Sequence, residues 1–292
     1  MENILITGAT GNIGREILHF FILNPSQKLF IATRQIDSTK ENEVFFDFEN
    51  IDKTIQSIKE TQINTIFLLR PPQIADTDKY FKPLIEKLEA TSVKHIVFLS
   101  VQGAEEISFI PHAKIEKLLK ESAEKGKQKG VMSYTFIRPS YFMQNLTTTL
   151  KKDLEETNKI YLPAGKAKFL WIDAQDIGKA IASVLSNTEN HKNKAYTITG
   201  TESELLNFEE VTKILTEELH KQFVYKSPNL ISFFIKKKKE GEKTAFIFVL
   251  IMLHFAPRFQ KPPKISDDFE KLTGEKPNSL REFIKREMNE QN

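Results

Sequence analysis

Gly8, Gly11 and Gly14 stand at three-residue intervals where the 292-residue chain changes from one apolar pattern to another. Before them Ile4-Leu5-Ile6 suits a buried strand, and after them Ile13, Ile17, Leu18 and Phe21 recur with a helical period. Glycine lets the backbone turn sharply and approach a ligand without a Cβ clash. The amides of Asn12 and Ile13, which open the helix, then point at that ligand with the positive end of the helix dipole behind them. The chemistry is anion binding. A loop of Gly8, Thr10, Gly11, Asn12, Ile13 and Gly14 suits the pyrophosphate of a nicotinamide dinucleotide; a plain glycine turn is the alternative.

The next strand ends name the other contacts. Leu29-Phe30-Ile31-Ala32-Thr33 reads as a second strand, followed by Arg34, twenty positions after Gly14. An acidic residue here holds the ribose 2′-hydroxyl of NAD(H), whereas a basic one favours the 2′-phosphate of NADP(H). Arg34 therefore prefers NADP(H) and leaves NAD(H) open, with Arg15 able to help and Asp37 near enough to oppose. A surface arginine at a strand end is the competing reading. Val44-Phe45-Phe46 is a third strand ending at Asp47 and Phe48: the Asp47 carboxylate meets an adenine amino group, or it caps the helix that starts near Ile51, or both. A fourth strand, Thr65-Ile66-Phe67-Leu68-Leu69, runs into Arg70-Pro71-Pro72, a stiff turn that continues neither helix nor sheet. Leu69, Arg70 and Pro71 are thereby expected beside the cofactor.

His95-Ile96-Val97-Phe98-Leu99-Ser100 and Tyr134-Thr135-Phe136-Ile137-Arg138 give a fifth and a sixth strand, with helical segments between. This alternation predicts an α/β fold, a Rossmann doubly wound parallel sheet of order 3-2-1-4-5-6, which Ala195-Tyr196-Thr197-Ile198-Thr199 extends as an edge strand. Residues 1–145, with 171–200 returning, form the expected NAD(P)-binding domain. Residues 146–170 and 201–292 form a smaller, mainly helical substrate-binding lobe, with helices over 208–220, 245–256 and 280–287. Trp171 is expected in the core.

Composition narrows the classes. The net charge of +3 is spread along the chain, with no concentrated basic face, so no nucleic-acid partner is expected. Without cysteine there is no disulfide, thiolate metal site or cysteine nucleophile. The six histidines, at 19, 95, 112, 191, 220 and 254, lack metal-ligand spacing, so no metal is expected. The start at Met1-Glu2-Asn3 leaves no room for a secretory signal, and a cytoplasmic protein is expected. The apolar run 245–256 is shorter than the ~20 residues that cross a bilayer, and Pro257 and Arg258 close it. It reads as a helix buried in the lobe or at a homodimer interface. The preceding Lys236-Lys237-Lys238-Lys239 reads as a solvated loop or helix end, with membrane-surface binding the lesser option.

The glycine spacing resembles that of extended and atypical short-chain dehydrogenases/reductases. Ile137-Arg138-Pro139-Ser140-Tyr141-Phe142-Met143-Gln144-Asn145-Leu146, His112-Ala113-Lys114-Ile115-Glu116-Lys117-Leu118-Leu119 and a late segment from Ile265 to Pro277 resemble the NmrA-like family. That family mixes NADPH-dependent quinone, isoflavone and imine reductases with cofactor sensors. The short-chain Tyr-x-x-x-Lys is missing: Tyr134 has Arg138 four residues on. In its place His112-x-x-x-Glu116 resembles the type 2 quinone oxidoreductase branch. The resemblance implies His112 as a proton or hydrogen-bond donor, with Glu116 one turn on to orient the imidazole or raise its pKa; a histidine that caps and packs after Pro111 is the alternative. Ser100 would touch the nicotinamide ribose or substrate, or cap. Tyr141, Phe142 and Asn145 would line the nicotinamide end, or pack. Asp176 resembles the family's helix-start aspartate and is expected to cap, with catalysis the lesser option. The implied function is NADPH-dependent reduction of a small quinone-like or carbonyl molecule. The alternatives are a non-catalytic NADP(H) sensor with a regulatory protein partner and, more weakly, a sugar-nucleotide epimerase.

Overall fold

In chain order the chain forms β1 (Glu2–Ile6), α1 (Asn12–Phe20), β2 (Gln27–Thr33), β3 (Glu43–Phe45), α2 (Ile51–Glu60), β4 (Thr65–Leu69), α3 (Thr77–Leu88), β5 (His95–Leu99), α4 (Pro111–Gly126) and β6 (Ser133–Pro139). There follow β7 (Tyr141–Phe142), α5 (Lys151–Thr157), β8 (Lys159–Tyr161), β9 (Phe169–Ile172), α6 (Ala174–Ser186), β10 (Lys194–Ile198), β11 (Leu205–Leu206) and α7 (Phe208–Leu219). The last elements are β12 (Val224–Lys226), α8 (Leu230–Lys239), α9 (Thr244–Phe255), α10 (Asp268–Thr273) and α11 (Leu280–Glu287). This computed structural model describes residues 1–37, 39–126 and 132–289.

Contacts divide the chain into two units. The first comprises Met1–Pro139, Ala174–Ile198 and Asp268–Glu275. Its sheet runs β3-β2-β1-β4-β5-β6-β10 with every neighbour parallel, so the expected Rossmann order forms with one added edge strand. Side chains alternate across a strand. Leu5, Ile66, Leu68, Ile96, Phe98 and Phe136 therefore share one face, where they pack on Ile55, Phe81, Leu84, Leu88 and Ile115 of α2, α3 and α4. Ile4, Ile6, Phe67 and Val97, equally buried, point to the opposite face. Helices α1 and α6 pack so closely that a Cβ on Gly178 would lie 2.3 Å from Glu16 Cβ. Asp176 sits in the first turn of α6.

The second unit comprises Ser140–Asp173, Thr199–Asp267 and Lys276–Asn292. It holds two small sheets, β11-β9-β7 and β12-β8. Its core gathers Met143, Leu146, Trp171, Phe208, Phe233 and Phe283, and Trp171 is fully buried as expected. The stretch after residue 201 is mainly helical as expected, and it adds β11 and β12, strands of two and three residues that are too short for periodicity to register. Of the two readings of the four lysines the helix end is the one that forms: they are the last turn of α8, a helix capped at its start by the Asn229 side chain, although Lys237 is buried there rather than solvated. No helix among the described residues is long and apolar enough to cross a membrane.

Candidate functional site

Two glycines of the first turn, Gly8 and Gly14, have a steric reason. Gly8 takes a φ of +67°, and its carbonyl accepts the Gly11 N–H at 3.0 Å. A Cβ on Gly14 would lie 2.2 Å from that carbonyl oxygen, and one on Gly8 would lie 2.7 Å from Leu69 Cδ2. Helix α1 therefore starts directly against the end of β1. It starts bare: no side chain caps it and no acidic residue lies in its first turn. In contrast, α2, α3, α7, α8 and α11 are capped by Asn50, Asp76, Asn207, Asn229 and Ser279, whereas α5 and α9 also lack a side-chain cap. Thr10, Gly11 and Asn12 are exposed, while Ile13 and Gly14 are buried. Thr7, which sequence reasoning passed over, clasps β1 to β4: its hydroxyl donates to Phe67 O at 2.9 Å and accepts from Leu69 N at 2.8 Å. The clasp lies where the strand order reverses, the place at which open parallel sheets leave a crevice.

At the end of β2, Arg34 is exposed and makes no ion pair or hydrogen bond with another described residue. Asp37 is occupied by its own loop, accepting from Thr39 N at 3.0 Å and Thr39 Oγ1 at 2.7 Å, which together hold its carboxyl below the usual range. The capping alternative for Asp47 is corrected: Asn50 caps α2, and Asp47 accepts from Glu49 N at 3.1 Å. The Phe48 ring is core, tilted 4.9 Å from Phe81. Arg70 folds back on its own turn, donating to Ile74 O at 2.7 Å and Pro71 O at 3.1 Å. Its Nε also donates to His112 Nε2 at 3.4 Å.

That last contact revises the role of His112. Burial, aided by the Arg70 charge, pushes its pKa down to about 3, so the ring is neutral at ordinary pH with the proton on Nδ1. The expected coupling to Glu116 is overturned. The Glu116 carboxylate is taken by Arg138, through Nε at 2.9 Å and Nη2 at 2.6 Å, and by Ser100 Oγ at 2.6 Å. Arg138 also reaches Glu105 at 3.1 Å. A buried carboxylate is stable only when paired and hydrogen-bonded, and Arg138 on β6 meets that need where His112 would not. Ser100, 2% exposed, spends its proton on the same carboxylate.

In the second unit Tyr141 lies among Phe169, Trp171 and Phe208, with ring centroids 4.6 to 6.1 Å away. Its hydroxyl donates to His254 Nε2 at 2.9 Å, and His254 Nδ1–H donates to Leu250 O at 2.7 Å. Burial pushes His254 down to about 4 and raises the Tyr141 phenol. Asn145 also bonds the Tyr141 side chain. His254 was hidden in the sequence because its apolar helix gives no sign of a polar partner. A cavity of about 310 Å³ in this unit is lined by Leu146, Leu154, Leu219, Phe223 and Met288 among others, and not by Tyr141, Phe142 or Asn145.

A profile described as the NmrA-like family matches residues 1–237. The chain belongs to the NmrA-like family. Its relatives include the prestalk A differentiation protein A of Dictyostelium discoideum, 25% identical over 97% of this chain and 91% of that protein. Another is the NAD(P)H azoreductase of Xenophilus azovorans, 28% identical over 68% of each. In fold, this NmrA-like chain is similar to the NADPH-dependent quinone oxidoreductase of Escherichia coli in its complex with NADPH. The TM-score is 0.82 at 20% identity, covering 97% of this chain and 98% of that one.

Proposed function

We propose that the protein is an NADPH-dependent reductase of a quinone-like or carbonyl-bearing small molecule. The observation that carries this reading is the bare start of α1, set by Gly14 against the end of β1, with Arg34, which pairs with no other described residue, at the end of the neighbouring strand. The residues fit the cofactor: a glycine cradle that a Cβ would fill, uncapped amides, and an exposed cation suited to a phosphate. The amides of Asn12 and Ile13 would hold the pyrophosphate, with Gly8, Thr10, Gly11 and Gly14 shaping the loop. Arg34 would hold the 2′-phosphate, Asp47 and the Phe48 backbone the adenine, and Leu69, Arg70 and Pro71 the middle of the cofactor. The bound nicotinamide supplies hydride from its C4. His112 would act as a neutral donor through Nδ1–H, while Ser100 and Glu116 would hold the Arg138 node behind it. Tyr141, Phe142 and Asn145 are the proposed substrate contacts of the second unit. The azoreductase and quinone oxidoreductase relatives support this chemistry.

Arg34→Ala tests the cofactor half. It should weaken NADPH binding about tenfold or more, the worth of one charge-assisted contact, while NADH binding changes little. Equal losses would remove Arg34 from the site. Oxidation of NADPH by a panel of quinones, imines and aldehydes tests the reaction, and silence across the panel would end the reductase reading. A sensor of NADP(H) is the second reading, favoured by His112, because an imidazole held near 3 is no cationic acid at neutral pH. It requires different affinities for oxidised and reduced cofactor, measurable by calorimetry.

A further inference from the structure

We infer that the second unit docks on an anionic lipid surface through the outward side of helices α8 and α9. Helix α9, Thr-Ala-Phe-Ile-Phe-Val-Leu-Ile-Met-Leu-His-Phe, is apolar all round, a composition expected of a helix covered on every side. Yet its buried residues are Ile247, Leu250 and His254. Phe248, Val249 and Met252, at helical spacing, are 55%, 57% and 58% exposed. On α8, Ile231 and Ile235 are 74% and 49% exposed. Phe234 and Phe248 meet at 5.8 Å and join the two stripes into one patch. Twelve residues make a helix of about 18 Å, too short to span a bilayer.

Charge selects the occupant. Between residues 230 and 266 there are eight basic residues against two acidic ones, while the remainder of the chain has 34 basic and 37 acidic. Lys236 and Lys237 are used inside the unit by Asp153 and Glu240. Lys239 and Lys243, at the facing ends of the two helices, are exposed and pair with no described residue. Arg258 and Lys261 follow α9 and are exposed as well. A two-fold contact with a second copy would press this basic rim against its own image. Lipid phosphates attract it instead, and the net acidic remainder is repelled, which orients the protein.

The test is co-sedimentation of the full-length protein with vesicles of phosphatidylcholine alone or mixed two to one with phosphatidylglycerol. Binding to the mixed vesicles should be about tenfold stronger or more and should be released by salt. Phe248→Ser combined with Met252→Ser, and separately Lys239→Glu combined with Lys243→Glu, should each lower it about tenfold with the thermal midpoint unchanged. Equal binding to both vesicles, or none, overturns the inference. So does a dimer in sedimentation velocity that the Phe248→Ser, Met252→Ser variant splits, because a second copy would then cover the patch.

Discussion

In the first unit Arg138 is the close ionic partner of buried Glu116, whose other contacts are the Ser100 hydroxyl and Lys120 at 3.8 Å. In the second unit Asp153 is shared by Lys236 and Lys237, each at 2.9 Å and each also reaching Glu240. One arrangement concentrates compensation in a single guanidinium that links β6 to α4. The other spreads it over two flexible ammonium groups on one helix. The unit that carries the proposed cofactor loop thus gains a rigid clasp, and the other gains redundancy.

The sharpest way to break this contrast is to remove one cation from each cluster. Arg138→Met leaves Glu116, 2% exposed, without its close cation and should cost about 3–5 kcal/mol in denaturant unfolding. Lowering the pH should act next. His254 is held neutral at about 4 against an ordinary 6.5, so its contribution is complete above about pH 6.5 and is lost as pH falls from there toward 4. The loss is on the order of 3 kcal/mol, read as a falling thermal midpoint, and an unchanged midpoint from pH 7 to pH 4 would contradict the buried neutral ring. Gly14→Ala drives a Cβ to 2.2 Å from the Gly8 oxygen and should cost about 1–3 kcal/mol, together with a drop in NADPH affinity. Lys237→Met should have the least effect, about 1 kcal/mol, because Lys236 still serves Asp153. A loss as large as that of Arg138→Met would show that the two clusters are not different after all.

The strands of the large sheet and the helices after them were legible because each is announced locally, by a run of apolar residues, a glycine, or a proline at its end. The short strands of the second unit were not, since Leu205-Leu206 becomes a strand through pairing with β9. The α2 cap, by contrast, was legible and passed over: Asn50 stands directly before the expected helix start at Ile51 and is among the residue types that cap best.

By itself the sequence determined the alternation of strands and helices in the first unit and the glycine turn at the start of α1. Both follow from side-chain period and backbone freedom within a few residues. Tertiary structure alone decided the state of the polar groups. His112 and Glu116 share a helix turn, yet Glu116 belongs to Arg138, 22 residues away, and Tyr141 belongs to His254, 113 residues away. Protonation and pairing depend on what burial brings close and how much water it removes, and the chain acquires that information only when it folds.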